Sequence, residues 1–117
     1  MTENEMKQRT KAFALRVIRV TSSLSQDFVG RRLGDQLLRS GTSVAANYRA
    51  ACRARSKADF VSKLGIAEEE ADESVFWMEM LVESDLIPRH KLEDLLDEAD
   101  QLTAIIVASR KTGSAKR

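Results

Sequence analysis

Hydrophobic side chains recur at intervals of three and four residues along most of this chain, which predicts helices that each bury one face. The first segment, residues 4–24, carries a narrow stripe of this kind, made of Met6, Thr10, Phe13, Val17, Val20 and Leu24. The second, residues 27–52, repeats the spacing at Leu37, Gly41, Val44, Tyr48 and Ala51. Residues 56–84 and 88–110 continue the pattern, so the sequence predicts four helices.

The beginnings of the predicted helices carry residue types that favour helix starts. Ser25 and Asp27 are both available to cap the second helix, and Ser56 is placed to cap the third. Pro88 is expected at the first position of the fourth helix, where its missing N–H costs nothing. Residues 112–117 are predicted to form a frayed basic tail.

Short connections between these helices predict an antiparallel, up-down-up-down four-helix bundle that spans residues 1–117 as one domain. The composition agrees with an all-α fold, because five glycines and one proline provide little of the turn chemistry that many short strands require. Aromatic residues make up only 5% of the chain, so the core must consist mainly of aliphatic side chains.

The third predicted helix carries a second apolar face. Ile66, Trp77 and Met80 lie away from its main stripe when successive residues are turned by about 100°. A helix with two apolar faces is buried on two sides. Because a chain with four helices has few partners for the second side, we predict self-association with these three residues in the oligomer interface.

The second predicted helix contains two further patterns. Its glycines are expensive in a helix interior, at about 1 kcal/mol each, which predicts either a close approach of a neighbouring helix or a kink at Gly41. A polar stripe runs beside the apolar one, and it has two interpretations, a hydrogen-bonded seam or an edge that contacts a ligand or RNA. The stripe consists of Gln36, Ser40, Ser43 and Asn47.

Charge is divided unevenly along the chain, although the total is only +1. Residues 1–58 hold twelve basic and four acidic side chains, a net charge of +8, whereas residues 59–100 hold three basic and fourteen acidic ones, a net charge of −11. This division has two explanations, neutralisation between neighbouring helices or a basic face that attracts anions.

Residue types that support catalysis are not arranged for it. Cys52 is the single cysteine and lies at the edge of an apolar stripe, where a packed thiol is usual. His90 is the single histidine and lacks the Glu three residues earlier that a bundle di-iron site uses. The third helix has a dense acidic run that covers several faces. This run consists of Glu68, Glu69, Glu70, Asp72 and Glu73. We therefore predict that the protein is not an enzyme and binds no metal and no cofactor.

The sequence shows no feature that would target the chain to a membrane or insert it into one. The start of the chain is polar, with no apolar leader, and no run approaches the roughly 18 apolar residues of a membrane span. A single cysteine also leaves no intrachain disulfide. The sequence therefore predicts a cytoplasmic protein.

The strongest candidate for binding is the corner between the second and third helices. Arg49 and Arg53 lie one turn apart on the outer face of the second helix, and Arg55 and Lys57 follow in the turn. With Asn47, they form the candidate nucleic-acid- or anion-binding set, because guanidinium groups can hold phosphates bidentately. The alternative is a solvated turn, or one paired with acids of a neighbouring subunit.

Four segments of the chain resemble the bacterial four-helix bundle family known as the 23S rRNA-intervening-sequence, or S23-type, proteins. They are QLLRSGTSVAANYR at residues 36–49, RARSKADF at 53–60, KLGIA at 63–67 and EADE at 70–73, followed by Trp77. The spaced matches are specific, and with the flanking helices the resemblance covers nearly the whole chain. It implies a bundle that assembles into a ring-like homopentamer.

The family is also related to accessory proteins of diversity-generating retroelements, which form basic pentamers that bind nucleic acid and a reverse transcriptase. Together, the pattern and the resemblance predict a non-catalytic oligomeric scaffold or adaptor that contacts RNA or DNA through the basic end of the second helix. The alternative is a purely structural module whose partner is another protein.

Overall fold

Four long α-helices form this protein in a computed structural model that describes residues 1–115. No strand occurs in that range, and the predicted all-α, four-helix class is confirmed. A short 3₁₀ helix at Arg89–Lys91 precedes the fourth α-helix. The α-helices are α1 (Glu3–Ser22), α2 (Phe28–Cys52), α3 (Lys57–Glu83) and α4 (Glu93–Ala115).

Side-chain caps fix the beginnings of the first three helices. Of the two residues available before α2, Asp27 is the cap, and its carboxylate accepts a 2.8 Å hydrogen bond from the Gly30 amide. Ser56 caps α3 as predicted. The sequence interpretation missed Thr2, whose hydroxyl accepts from the Glu5 amide at 3.1 Å in a capping box. Each cap satisfies an amide that would otherwise lack a partner.

The beginning of the fourth helix differs from the prediction. Pro88 has an extended ψ of 141° and precedes the 3₁₀ helix, so α4 begins at Glu93 rather than at residue 88. Ile87 and Leu92 are both buried, on either side of this turn. Because both side chains are held in the core, the chain between them makes a tight turn instead of a regular first turn of α-helix.

The end of α4 also differs from the prediction. Residues 112–115 are helical, so the expected frayed tail is wrong for them, and residues 116–117 lie outside the described part of the chain. Gly113 lies against Phe60 of α3, with the position that a Cβ would take only 2.9 Å from the Phe60 ring. This contact lets α4 continue beyond the predicted end at residue 110.

The core runs along the long axis of a molecule that measures 48 × 22 × 20 Å. Each α-helix packs mainly against its neighbours in sequence, and α1 and α4 touch only sparsely. The core side chains come from all four helices and are mostly aliphatic, as the composition predicts. The largest fully buried ones are Phe13, Met6, Leu37, Leu64, Met78, Leu81, Leu92, Leu102 and Ile106.

Gly41 of α2 marks the close approach of α1. A Cβ on Gly41 would lie 2.8 Å from both methyl carbons of Val17. Val17 is completely buried, and its branched side chain has little rotamer freedom. The close approach of a neighbouring helix is therefore confirmed at Gly41, whereas Gly30 and Gly34 face Ser25 and Leu24 of the connection before α2.

Replacing Gly41 by Ala should destabilise the fold, although Ala is the better helix former. The new methyl would overlap Val17, and overpacking of this kind costs about 1–3 kcal/mol, more than the roughly 1 kcal/mol that Ala gains in propensity. Gly65 of α3 is the matched control, because the nearest atom to its added Cβ is Arg110 Cδ at 4.0 Å. Gly65→Ala should stabilise the protein in urea unfolding; equal stabilisation by Gly41→Ala would contradict the proposed overlap.

Candidate anion-binding groove

A groove of about 470 Å³ runs along the surface between α1 and α2. Small side chains at Ala45 and Ala46 form part of its lining, and longer polar side chains extend over it from both helices. We call this feature the basic groove. It is lined by Asn4, Lys7, Gln8 and Lys11 of α1 and by Ala45, Ala46, Arg49 and Arg53 of α2.

Four cations and no carboxylate line the basic groove. Lys7 and Lys11 come from α1, and Arg49 and Arg53 come from α2. Within residues 1–115, none of the four lies within ion-pair distance of a carboxylate. Four like charges around a shared concave surface create a positive potential that attracts anions.

Two basic residues outside the groove, Arg9 and Arg39, are neutralised by carboxylates of other helices. Arg9 of α1 forms a bidentate pair with Glu98 of α4, with both N–O distances at 2.7 Å. Arg39 of α2 pairs with Glu70 and Glu73 of α3. Neutralisation between helices thus accounts for part of the uneven charge along the chain. It does not account for the four cations of the basic groove.

The structure divides the predicted binding set. Arg49 and Arg53 line the groove, whereas Arg55 and Lys57 are exposed in and after the connection from α2 to α3 and do not line it. The amide nitrogen of Asn47 donates to the carbonyl oxygen and the hydroxyl of Ser43, both at 2.9 Å. Asn47 is therefore bonded to its own helix and is not part of the groove.

The sequence interpretation missed the half of the groove that α1 provides. Asn4, Lys7 or Gln8, and Lys11 are spaced by three and four residues, so they share one helix face beside the buried stripe. That spacing was available in the sequence. The sequence did not show that this face adjoins the Arg49 face of α2.

The polar stripe of α2 behaves mainly as a seam. Ser40 is completely buried, and its hydroxyl lies 2.9 Å from that of Ser74 on α3. Ser43 and Asn47 bond to each other within α2, and Gln36 is exposed. Because buried hydroxyls require partners, the Ser40–Ser74 pair ties α2 to α3 rather than offering a ligand site.

Two polar groups near the amino-terminal end of α1 are held in their neutral forms. Burial raises the pKa of the Tyr48 hydroxyl, and the neighbouring Cys52 adds to the effect. Burial is also the main reason why the pKa of the Cys52 thiol is raised; Glu3 adds to that effect, whereas a Tyr48 hydrogen bond and the charge of Lys7 oppose it. A raised pKa leaves little thiolate at neutral pH, which is the opposite of an activated nucleophile.

Cys52 should therefore react slowly with a thiol-alkylating reagent in the native protein. Because its folded pKa lies above that of a free thiol, the pH profile of the native alkylation rate should be displaced to higher pH than that of the urea-unfolded chain. Iodoacetamide labelling followed by mass spectrometry measures both rates on the same residue. Faster labelling of the folded than of the unfolded protein at pH 7 would contradict this assignment.

Residues 1–115 contain neither a metal-binding cluster nor a membrane-spanning helix. No three of their His, Cys, Asp and Glu side chains are grouped closely enough to hold a metal ion. None of the helices in that range combines the length and hydropathy needed to cross a bilayer.

The fold and the groove define a small all-α protein with four long helices and a cationic surface groove. The sequence matches the family described as 23S rRNA-intervening sequence protein over residues 2–108, and the chain belongs to that family. None of the curated proteins matches it.

A solved structure agrees with this assignment. The chain is similar to a protein of unknown function from the S23 ribosomal protein family of Bacteroides thetaiotaomicron, with a TM-score of 0.87 and 34% sequence identity. The match covers 95% of this chain and 99% of that one. These likenesses establish no catalytic or binding activity for the family.

Proposed function

We propose that this protein is a non-catalytic, homopentameric scaffold that holds the phosphate backbone of RNA or DNA in the basic groove. In this proposal each chain is an up-down-up-down bundle, and the ring presents several copies of the groove to one nucleic acid. The observation that carries the proposal is the grouping of Lys7, Lys11, Arg49 and Arg53 around one groove without a carboxylate among them.

The contacts between helices support the up-down-up-down order. Residue numbers rise on α1 as they fall on α2, because residues 4–11 share the groove with residues 45–53 and Val17 lies against Gly41. The same reversal holds between α3 and α4 at the pairs Phe60–Gly113 and Glu68–Arg110. Opposed numbering of this kind is what antiparallel neighbours with short connections produce.

The chemistry of the groove favours a polyanion over a small neutral ligand. Lysine and arginine side chains bind phosphates through charge and hydrogen bonds without reading base sequence. Arg55 and Lys57 follow Arg53 within four residues of the chain and are exposed, so they can continue the contact along a backbone. A repeating phosphate chain is the ligand that best matches several cations arranged along a groove and continuing past its end.

Nucleic-acid binding should be strongly salt-dependent and should require the groove. Because each cation that contacts a phosphate releases counterions, replacing Arg49 and Arg53 by Ala should lower the slope of log K against log salt by roughly 1–2. Fluorescence anisotropy with a labelled RNA and a DNA of the same sequence, measured between low and physiological salt, gives this slope for each.

The matched control removes two positive charges outside the groove. Arg89 and Lys91 are exposed in the 3₁₀ helix before α4, and neither lines the basic groove. The Arg89→Ala, Lys91→Ala double variant should keep the wild-type slope. An equal loss in both double variants would show attraction by overall charge, and no binding by the wild type at low salt would reject nucleic acid as the ligand.

The surface of α3 supports the assembly. Of the predicted interface, Ile66 is 38% exposed, and Met80 is half-buried. Trp77 packs partly against the core and donates from its indole nitrogen to Glu73. Phe76, which the sequence interpretation did not include, is 47% exposed and meets the Trp77 ring edge-on. An apolar surface of this kind on a small protein favours contact with another protein.

Light scattering should give a mass near five times the 13.1 kDa of one chain. Ile66→Glu should lower that mass, because it would bury an unpaired charge in the interface while leaving the monomer core intact. Ala104→Glu introduces the same charge at an exposed position of α4 and should leave the mass unchanged. A wild-type mass of one chain at all concentrations would refute the assembly.

The same measurements distinguish the proposed nucleic-acid-binding scaffold from the alternative function. A purely structural module that contacts only proteins would assemble as expected and would show no salt-dependent binding of RNA or DNA. The exposed Ile66 and Phe76 agree with that alternative, whereas the four grouped cations favour nucleic acid.

A further inference from the structure

An exposed apolar strip continues the basic groove along α1 and α2. Lys11 is the last α1 residue of the groove, and Leu15 and Ile18 follow it at intervals of four and three residues, with 45% and 39% of their surfaces exposed. Leu38 of α2, 38% exposed, shares a depression with Thr21 and Ser22, one turn beyond Ile18. We call Leu15, Ile18 and Leu38 the α1–α2 strip.

The outer face of α3 has the opposite electrical character. Ile66, Phe76 and Met80 lie among exposed acids such as Glu69 and Asp72. From residue 64 to residue 83, α3 contains seven acidic residues and no basic one. Three of the seven pair with Arg39 or Arg110, and the four that do not are Glu69, Asp72, Glu79 and Glu83. Apolar side chains on this face thus have negative charge beside them. The α1–α2 strip has two cations nearby, Lys11 at one end and Arg31 in the depression that Leu38 lines, against one acid, Asp35, in that depression.

We propose that the outer face of α3 in one copy docks onto the α1–α2 strip of a second copy, head to tail. This rests on the self-association in the proposed function and adds which two surfaces meet. Contact between two strips, or between two α3 faces, would place like charges opposite each other, which is costly in an interface. Contact between a strip and an α3 face joins apolar side chains and pairs opposite charges.

A head-to-tail contact has a consequence that a symmetric one lacks. Each copy uses its strip for one neighbour and its α3 face for the other, so the contact repeats until a ring closes. The two surfaces lie on different helices of one chain, and α3 does not cover the strip of its own copy. Every copy therefore retains one free surface of each kind until closure.

Two single-face variants test this arrangement. Ile18→Glu damages only the strip, and Phe76→Glu damages only the α3 face, so each variant alone should sediment at or near the mass of one chain. When the two are mixed in equal amounts, the intact α3 face of Ile18→Glu can meet the intact strip of Phe76→Glu once. The mixture should then contain a species of twice the chain mass that neither variant forms alone.

Sedimentation velocity over a range of concentrations reads out each outcome, with circular dichroism and urea unfolding to show that both variants fold. Ala104→Glu serves as the charge control. If the wild type assembles but Ile18→Glu keeps the wild-type mass, or the mixture gives no new species, the head-to-tail contact is overturned while self-association stands. If the wild type itself is a monomer, the proposed assembly fails, and this contact fails with it.

Discussion

The close approach of α1 to α2 is the constraint on which the surface features depend. Because Gly41 lacks a side chain, the buried Val17 can lie directly against α2. That contact fixes how the two helices are placed along and around each other. The placement brings the Lys7 and Lys11 face of α1 beside Arg49 and Arg53, and the other α2 residues of the groove are the small Ala45 and Ala46. A wider separation or a rotated helix would disperse the four cations into ordinary surface charges.

Charge in this protein is used in two different ways. Interhelical pairs such as Arg9–Glu98 and Arg110–Glu68 join elements that are far apart in sequence. Surface pairs of this kind contribute only about 0–1 kcal/mol each, so they help to define which helices are neighbours more than they stabilise the fold. The cations of the basic groove have no such intramolecular partner among residues 1–115, and their mutual repulsion is a cost that a bound polyanion would remove.

The helical pattern predicted most of the fold because burial of one face leaves a period of about 3.6 residues in the sequence. It placed three of the helix beginnings within a residue of those observed, but not the start of α4, where burial of Ile87 and Leu92 overrides the preference of proline for a first helical turn. The candidate site was only half predictable. Periodicity shows which residues share a helix face, but it does not show which two faces become neighbours, so Lys7 and Lys11 could not be joined to Arg49 and Arg53 before the packing was known.

The position of the α1–α2 strip beside the basic groove links assembly to binding. Both surfaces lie along the same pair of helices, and Lys11 is followed one turn later by Leu15. In a head-to-tail ring, the acidic α3 face of a neighbour would lie next to the Lys11 end of the groove. Its negative charge would weaken the electrostatic attraction of a phosphate to that end. The opposite end of the groove, at Arg53 and towards Arg55 and Lys57, would remain clear of those acids. A bound backbone would therefore be held most strongly near the corner between α2 and α3, and repetition of that corner around the ring would supply the avidity that one groove lacks.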